Sequence, residues 1–176
     1  MEESKKMDAA LVIVRVVVGL YLFGHGAQKL FGWFGGYGLR GTAGFMGGML
    51  GFRPALFWTA VAALGEAGGG ALMVLGLLGP IGPLAVAATM VVAMSTHIPK
   101  GVWRQNGGVE MPLTYLVVSV ALALAGPGAY SVDALFGISL PEPATLFIAA
   151  ILAALGTMAA FASRGPVAQI TQPAAA

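Results

Sequence analysis

The chain has 176 residues, 58% of them hydrophobic and only 9% charged, with a mean hydropathy of +0.87; against the ~25% charge of a soluble domain this marks a membrane protein. A net charge of +2 with no basic cluster leaves no footprint for nucleic acid. The absence of cysteine excludes thiolate nucleophiles, dithiol–disulfide exchange and thiolate metal sites from this chain itself.

The opening "MEESKKMD" is polar and mixed in charge. The apolar run behind it is longer than a signal-peptide core and has no A-x-A cleavage site, so it reads as a retained first span, Asp8 to Trp33. A span needs about 20 apolar residues. The next candidates are Ala55 to Leu78, bounded by Pro54 and "GPIGP"; Leu84 to Ile98, closed by Pro99; Pro112 to Ala125, closed by "GPG"; and Ala144 to Ala162, closed by Arg164 and Pro166. No ten-residue alternating segments recur as a barrel requires. The fold class is therefore all-α, an integral membrane helical bundle. The glycine-rich link 34–53 carries Phe45, Met49 and Phe52 at helical spacing, which predicts a short amphipathic piece at the interface.

If every segment spans, the loops after the first and third helices share one side of the membrane. Arg40, Arg53, Lys100, Arg104 and Arg164 collect there, against Lys5 and Lys6 on the other side, which favours an external N-terminus.

Ionisable groups inside the bundle are the informative positions, because each costs about 2.5–3.5 kcal/mol at the bilayer centre and is normally turned inward to a partner. Glu66 sits mid-helix among Gly65, Gly68, Gly69 and Gly70, small residues that let another helix approach. It reads either as half of a structural ion pair, with Arg15 as the candidate cation, or as a proton carrier or ligand contact. His25 and Lys29 are four apart on one helix face, with Gln28 at its edge. His97 ends the third helix on the same side, and the loop behind it supplies Lys100, Trp103, Arg104, Asn106 and Glu110, with Gly107 and Gly108 permitting a tight turn. His25, Lys29, His97, Asn106 and Glu110 are thus expected to converge at one membrane face, above Glu66. Two histidines across a bundle could ligate haem, and His25, His97, Glu66 or Glu110 could hold a divalent metal, but their spacing matches no ligand motif. A quinone fits better: its carbonyls take donors such as His, Lys or Asn, its ring takes an aromatic lining from Phe23, Trp33 and Trp103, and its reduction takes up protons.

Four blocks, "RVVVGLYLFGHGAQKLFGWFGGYGLRGTAGF", "LGEAGGGALMVLGLL", "HIPKGVWRQNGGVEMPL" and "GPGAYSVDAL", occur in the order found in the DoxX family of small bacterial and archaeal membrane proteins, which the chain resembles from about Arg15 to Leu135. The resemblance implies a four-helix membrane core, taken as 8–135, with 136–176 as an extension bearing a fifth transmembrane helix at 144–162. Its motif residues fall on Arg15, His25, Lys29, Glu66, His97, Asn106 and Glu110. The family includes the DoxD-type subunit of thiosulfate:quinone oxidoreductase and members tied to membrane redox or oxidative-stress complexes; more distant relatives act in protein assembly or trafficking.

The reading that follows is a quinone-interacting membrane subunit of an oxidoreductase in the bacterial or archaeal cytoplasmic (inner) membrane, multi-pass. His25 and Lys29 bind or polarise a quinone carbonyl, with His97, Asn106, Glu110 and Trp103 as further quinone contacts. Glu66 or Glu110 carries protons, and Glu66, His25 and Lys29 form the catalytic set. No metal site is expected. Quinone or quinol is the ligand, and a soluble partner holds the redox cofactor. Lipid and a second copy of the chain are the other expected partners. The rival reading is a non-catalytic anchor or assembly factor. A carrier is disfavoured because no inverted repeat or interrupted helix pair stands out.

Overall fold

The computed structural model describes residues 2–167. They form seven helices: α1 (Glu2–Phe31), α2 (Gly38–Gly48), α3 (Ala55–Leu75), α4 (Ile81–His97), α5 (Glu110–Ala125), α6 (Val132–Phe136) and α7 (Ala144–Ala162). Among the described residues there is no strand, only an isolated antiparallel bridge between Phe52 and Arg164. Helices α1, α3 and α7, and α4 together with the 3-10 turn that continues it to Lys100, are long and apolar enough to cross a membrane. The protein is an all-α helical membrane bundle. Helix α5 has 16 residues, about 24 Å at 1.5 Å rise. It nevertheless runs the length of the bundle: it starts beside the loop after α4, where Glu110 meets Arg104, and the turn behind it reaches Asp8 at the start of α1 through the Ala129 N–H, 3.0 Å from Asp8 Oδ1.

Glycine sets the order of the helices. A Cβ on Gly19 would come within 2.7 Å of the Gly70 carbonyl oxygen, and one on Gly26 within 2.6 Å of the Ala63 carbonyl oxygen, so α1 and α3 touch backbone to backbone. On the next face of α3, Gly69 lies as tightly against Gly82 and Val86 of α4. Helix α4 then packs against α5 on one side and α7 on the other. Leu22, Met73, Val86, Met90 and Leu122, from α1, α3, α4 and α5, form the buried core. Contact between α1 and α5 is slight. The ring of four helices is therefore open along one flank.

The short helix expected within 34–53 is present as α2, but its phase differs from the expectation. Phe45 and Met49 are exposed, while Ala43, Met46 and, beyond the helix, Phe52 face the protein. On an interfacial helix the larger apolar stripe can face lipid and the smaller one the bundle.

Helix α7 occupies the residues expected of the fifth helix. It meets the rest of the bundle through α4, and its far end is clasped. The Gly165 N–H donates to Gly51 O at 2.8 Å and the Arg53 N–H to Ser163 O at 3.2 Å. The Arg164 guanidinium donates to Ser95 Oγ at 2.6 Å and lies 4.4 Å over the Phe52 ring. Burial pushes the Arg164 pKa below its ordinary value, yet a guanidinium stays charged. Its ion–ring and charge-assisted contacts are the main polar tie between α7 and the other helices. Arg164→Ala is expected to lower stability in detergent by about 2 kcal/mol, read by thermal unfolding. Arg164→Lys keeps the charge without the flat stacking surface and should recover only part of the loss.

Candidate functional site

Helix α1 separates two polar groupings, one on each of two flanks. On the flank toward α3, Lys29 Nζ donates to Glu66 Oε2 in a salt bridge. Glu66 is buried, and Lys29 is partly covered. The close α1–α3 approach made by Gly19, Gly26 and Gly70 brings the two together. Glu66 thus pairs with Lys29 and not, as the sequence suggested, with Arg15.

Arg15 lies at the other end of the bundle. It is buried, and its Nη2 donates to the Tyr130 carbonyl. It sits under Gly76, the left-handed C-cap of α3 (φ 62), where a Cβ would collide with the guanidinium. The C-terminal end of a helix carries negative partial charge, which favours a cation there. Next to it Asp133, also buried, accepts the backbone N–H groups of Leu78 at 3.0 Å and Gly79 at 2.8 Å, holding Leu78 at a positive φ of 61. Asp133 and the helix α6 that carries it were not singled out by sequence reasoning. The signal was there in Ser131, which caps α6 by accepting the Ala134 N–H at 3.1 Å.

The other flank of α1 faces the gap toward α5. A cleft of about 1220 Å³ fills that gap. Its apolar length is walled by Val17, Val18 and Leu20, and its polar end by His25, Gln28, His97 and Arg104. The two histidines, from separate helices, share this one cavity. Tyr115 of α5 stands edge-on to His25 with ring centroids 6.2 Å apart.

The loop from Ile98 to Val109 builds the polar end. Gly101 and Gly107 adopt positive φ, and Gly108 is buried where a Cβ would strike Val102. Three backbone bonds close the loop on itself: Gly108 N–H to Trp103 O at 3.0 Å, Val109 N–H to Gly101 O at 3.1 Å and Glu110 N–H to Val102 O at 2.9 Å. Glu110 Oε2 accepts the Arg104 N–H at 2.9 Å, fixing the residue whose side chain reaches the cleft. His97 Nδ1 is 2.6 Å from Gly107 O.

Of the residues expected to converge, His25 and His97 do so. Lys29 and Glu66 are turned to the α1–α3 contact and do not line the cleft. Glu110 serves the loop backbone; Trp103 and Asn106 are exposed on that loop, outside the cleft lining. Among the described residues, no three His, Asp or Glu side chains gather as a metal-ligand set. The cleft combines imidazole, amide, guanidinium and phenol groups at one end with an apolar groove along exposed helix surface. That is the make-up of a small-molecule site, mostly apolar with a few convergent polar groups.

The DoxX family model matches residues 10–98, half of the chain, from the first turns of α1 to the end of α4. No curated protein and no solved structure matches. The match includes His25, Lys29, Glu66 and His97; Arg104, Glu110, Tyr115 and α7 lie beyond it.

Proposed function

The chain belongs to the DoxX family, and on that premise we propose that it is a membrane subunit of an oxidoreductase that binds quinone or quinol in the α1–α5 cleft. The observation that carries the reading is the cleft itself: two imidazoles and a guanidinium at the end of a groove whose remaining wall is apolar and exposed along the bundle flank. A quinone headgroup enters such a site sideways from lipid, its tail lying against Val17, Val18 and Leu20, while Arg104 and Tyr115 meet the ring. Electrons reach it from the loop end, where a soluble partner holding the redox centre docks. Arg40, Arg53, Lys100 and Arg104 are exposed at that end, and by the positive-inside rule their charge supports a cytoplasmic position for it in the inner membrane of a bacterium or archaeon, with the chain multi-pass.

Within this reading Lys29 and Glu66 have a new part. They hold α1 at its distance from α3 and so shape the cleft from behind, whereas His25 and His97 touch the ligand.

The experiment is direct anaerobic binding of a decyl-tailed hydroquinone to the detergent-purified protein. His25→Ala should weaken it about tenfold, the worth of one good hydrogen bond in a sheltered site. Unaltered binding in that variant, or none in the wild type, overturns the reading. The rival, an anchor or assembly role, draws on α7, which leaves Phe147, Ile151, Leu155 and Met158 uncovered by the other described residues; it is favoured if the cleft takes neither quinone nor hydroquinone.

A further inference from the structure

Each histidine of the cleft is held by one ring nitrogen, and in both cases it is the same one. His97 Nδ1 meets the Gly107 carbonyl oxygen at 2.6 Å. A carbonyl oxygen only accepts, so Nδ1 carries the hydrogen. His25 Nδ1 meets Gln28 Oε1 at 3.2 Å. Here the assignment runs through a second bond, because an amide can be turned over. The other end of that amide, Nε2, donates to the Phe34 carbonyl at 3.4 Å. The reversed amide would set oxygen against oxygen there. Oε1 therefore faces His25, and His25 Nδ1 is the donor.

The Phe34 carbonyl belongs to a residue with left-handed backbone, φ 53, in the turn where the chain leaves α1. That turn sets the amide, and the amide sets the ring. In their neutral form both imidazoles then hold hydrogen on Nδ1 and a lone pair on Nε2. Neither Nε2 has a partner among the described residues.

We infer that the cleft discriminates between the two members of a quinone couple by this shared tautomer, binding the hydroquinone more tightly than the quinone. The inference rests on the quinone reading of the site. A hydroquinone O–H donates to a free Nε2; a quinone carbonyl meets the same lone pair acceptor to acceptor. Arg104 and Tyr115 supply donors to either form, so the quinone is admitted and only the balance is tilted. Lys29, one turn further along α1, is committed to Glu66, and the Glu110 carboxylate to the Arg104 N–H, so neither meets the ligand. Gln28 is the positioning residue of the scheme.

Two measurements test it. In protein labelled with nitrogen-15 histidine, the ring shifts report which nitrogen is protonated with no ligand present. Nδ1 should carry the hydrogen on both rings, and Gln28→Leu should release His25 while leaving His97 unchanged. Binding of a decyl-tailed hydroquinone and its quinone, measured anaerobically at a pH where the labelled rings are neutral, should favour the hydroquinone roughly tenfold. Gln28→Leu should shrink that ratio. Equal affinities, tighter quinone binding, or hydrogen on Nε2 of either ring overturns the inference while leaving the quinone site standing. If neither form binds while the rings show Nδ1–H, the quinone reading fails, and the discrimination falls with it.

Discussion

Glu66→Ala is expected to destabilise the bundle by about 3–5 kcal/mol, the cost of leaving one member of a buried ion pair without its partner. The uncompensated group is Lys29, partly covered on a helix whose neighbours are otherwise apolar. Its stem is long enough to bend toward the membrane surface, so the loss should fall toward the lower end of that range. The double substitution Lys29→Met, Glu66→Leu removes both charges and replaces them with apolar volume, which is often neutral or stabilising. Recovery of most of the loss in the double variant, measured by unfolding in detergent, identifies the pair as a tie between α1 and α3. A double variant no more stable than Glu66→Ala would contradict that assignment.

The second large effect concerns a residue with no side chain. Gly26→Leu should cost at least the ~3 kcal/mol at the top of the overpacking range. The added Cβ would lie 2.6 Å from the Ala63 carbonyl oxygen, and backbone cannot step aside as a flexible side chain can. The control is Gly68, on α3, where a Cβ meets nothing within 4 Å. Gly68→Ala removes only a helix-weakening glycine and should be neutral or stabilising by up to about 1 kcal/mol. Both are read from melting temperature and from the monodisperse yield after solubilisation. Similar losses at the two positions would mean that the close α1–α3 contact does not govern stability.

Much of the helical plan was legible because apolar runs and proline or glycine punctuation are local signals. The clearest case is α7, delimited by Pro143 and by the polar turn at Arg164. Helix phase was harder to read. The spacing of four puts His25 and Lys29 on one face, but a shared face is not a shared site. Yet Gly26 marks the direction of α3. By the helical period Lys29 lies about 60° from it, His25 about 100° and Gln28 about 160° on the same side. That progression sends Lys29 to α3 and Gln28 to the gap, as found. The glycine stripe was noted on α3 but not used to orient α1.

Tyr115 was illegible for a different reason. No local pattern distinguishes it from its apolar neighbours on α5; only the meeting of α5 with α1 brings its ring to His25. The sequence pattern offers the Glu110 carboxylate to a ligand, but it is spent on the loop that presents Arg104. Pairing Arg15 with Glu66 matches charge to charge inside the bundle, whereas the partners of Arg15 are a backbone carbonyl and the end of a helix.

Helix α1 is one continuous rod of 30 residues, and the two flanks just described belong to the same rigid body. A lever transmits displacement from one arm to the other. Thickening the glycine joint by a methyl group would swing the opposite surface of the rod across the lipid-side opening, altering the width of the cleft although no substituted atom lines it. Conversely, a bulky occupant prying at α5 would load the joint, so filling the cleft and tightening the α1–α3 union should oppose one another.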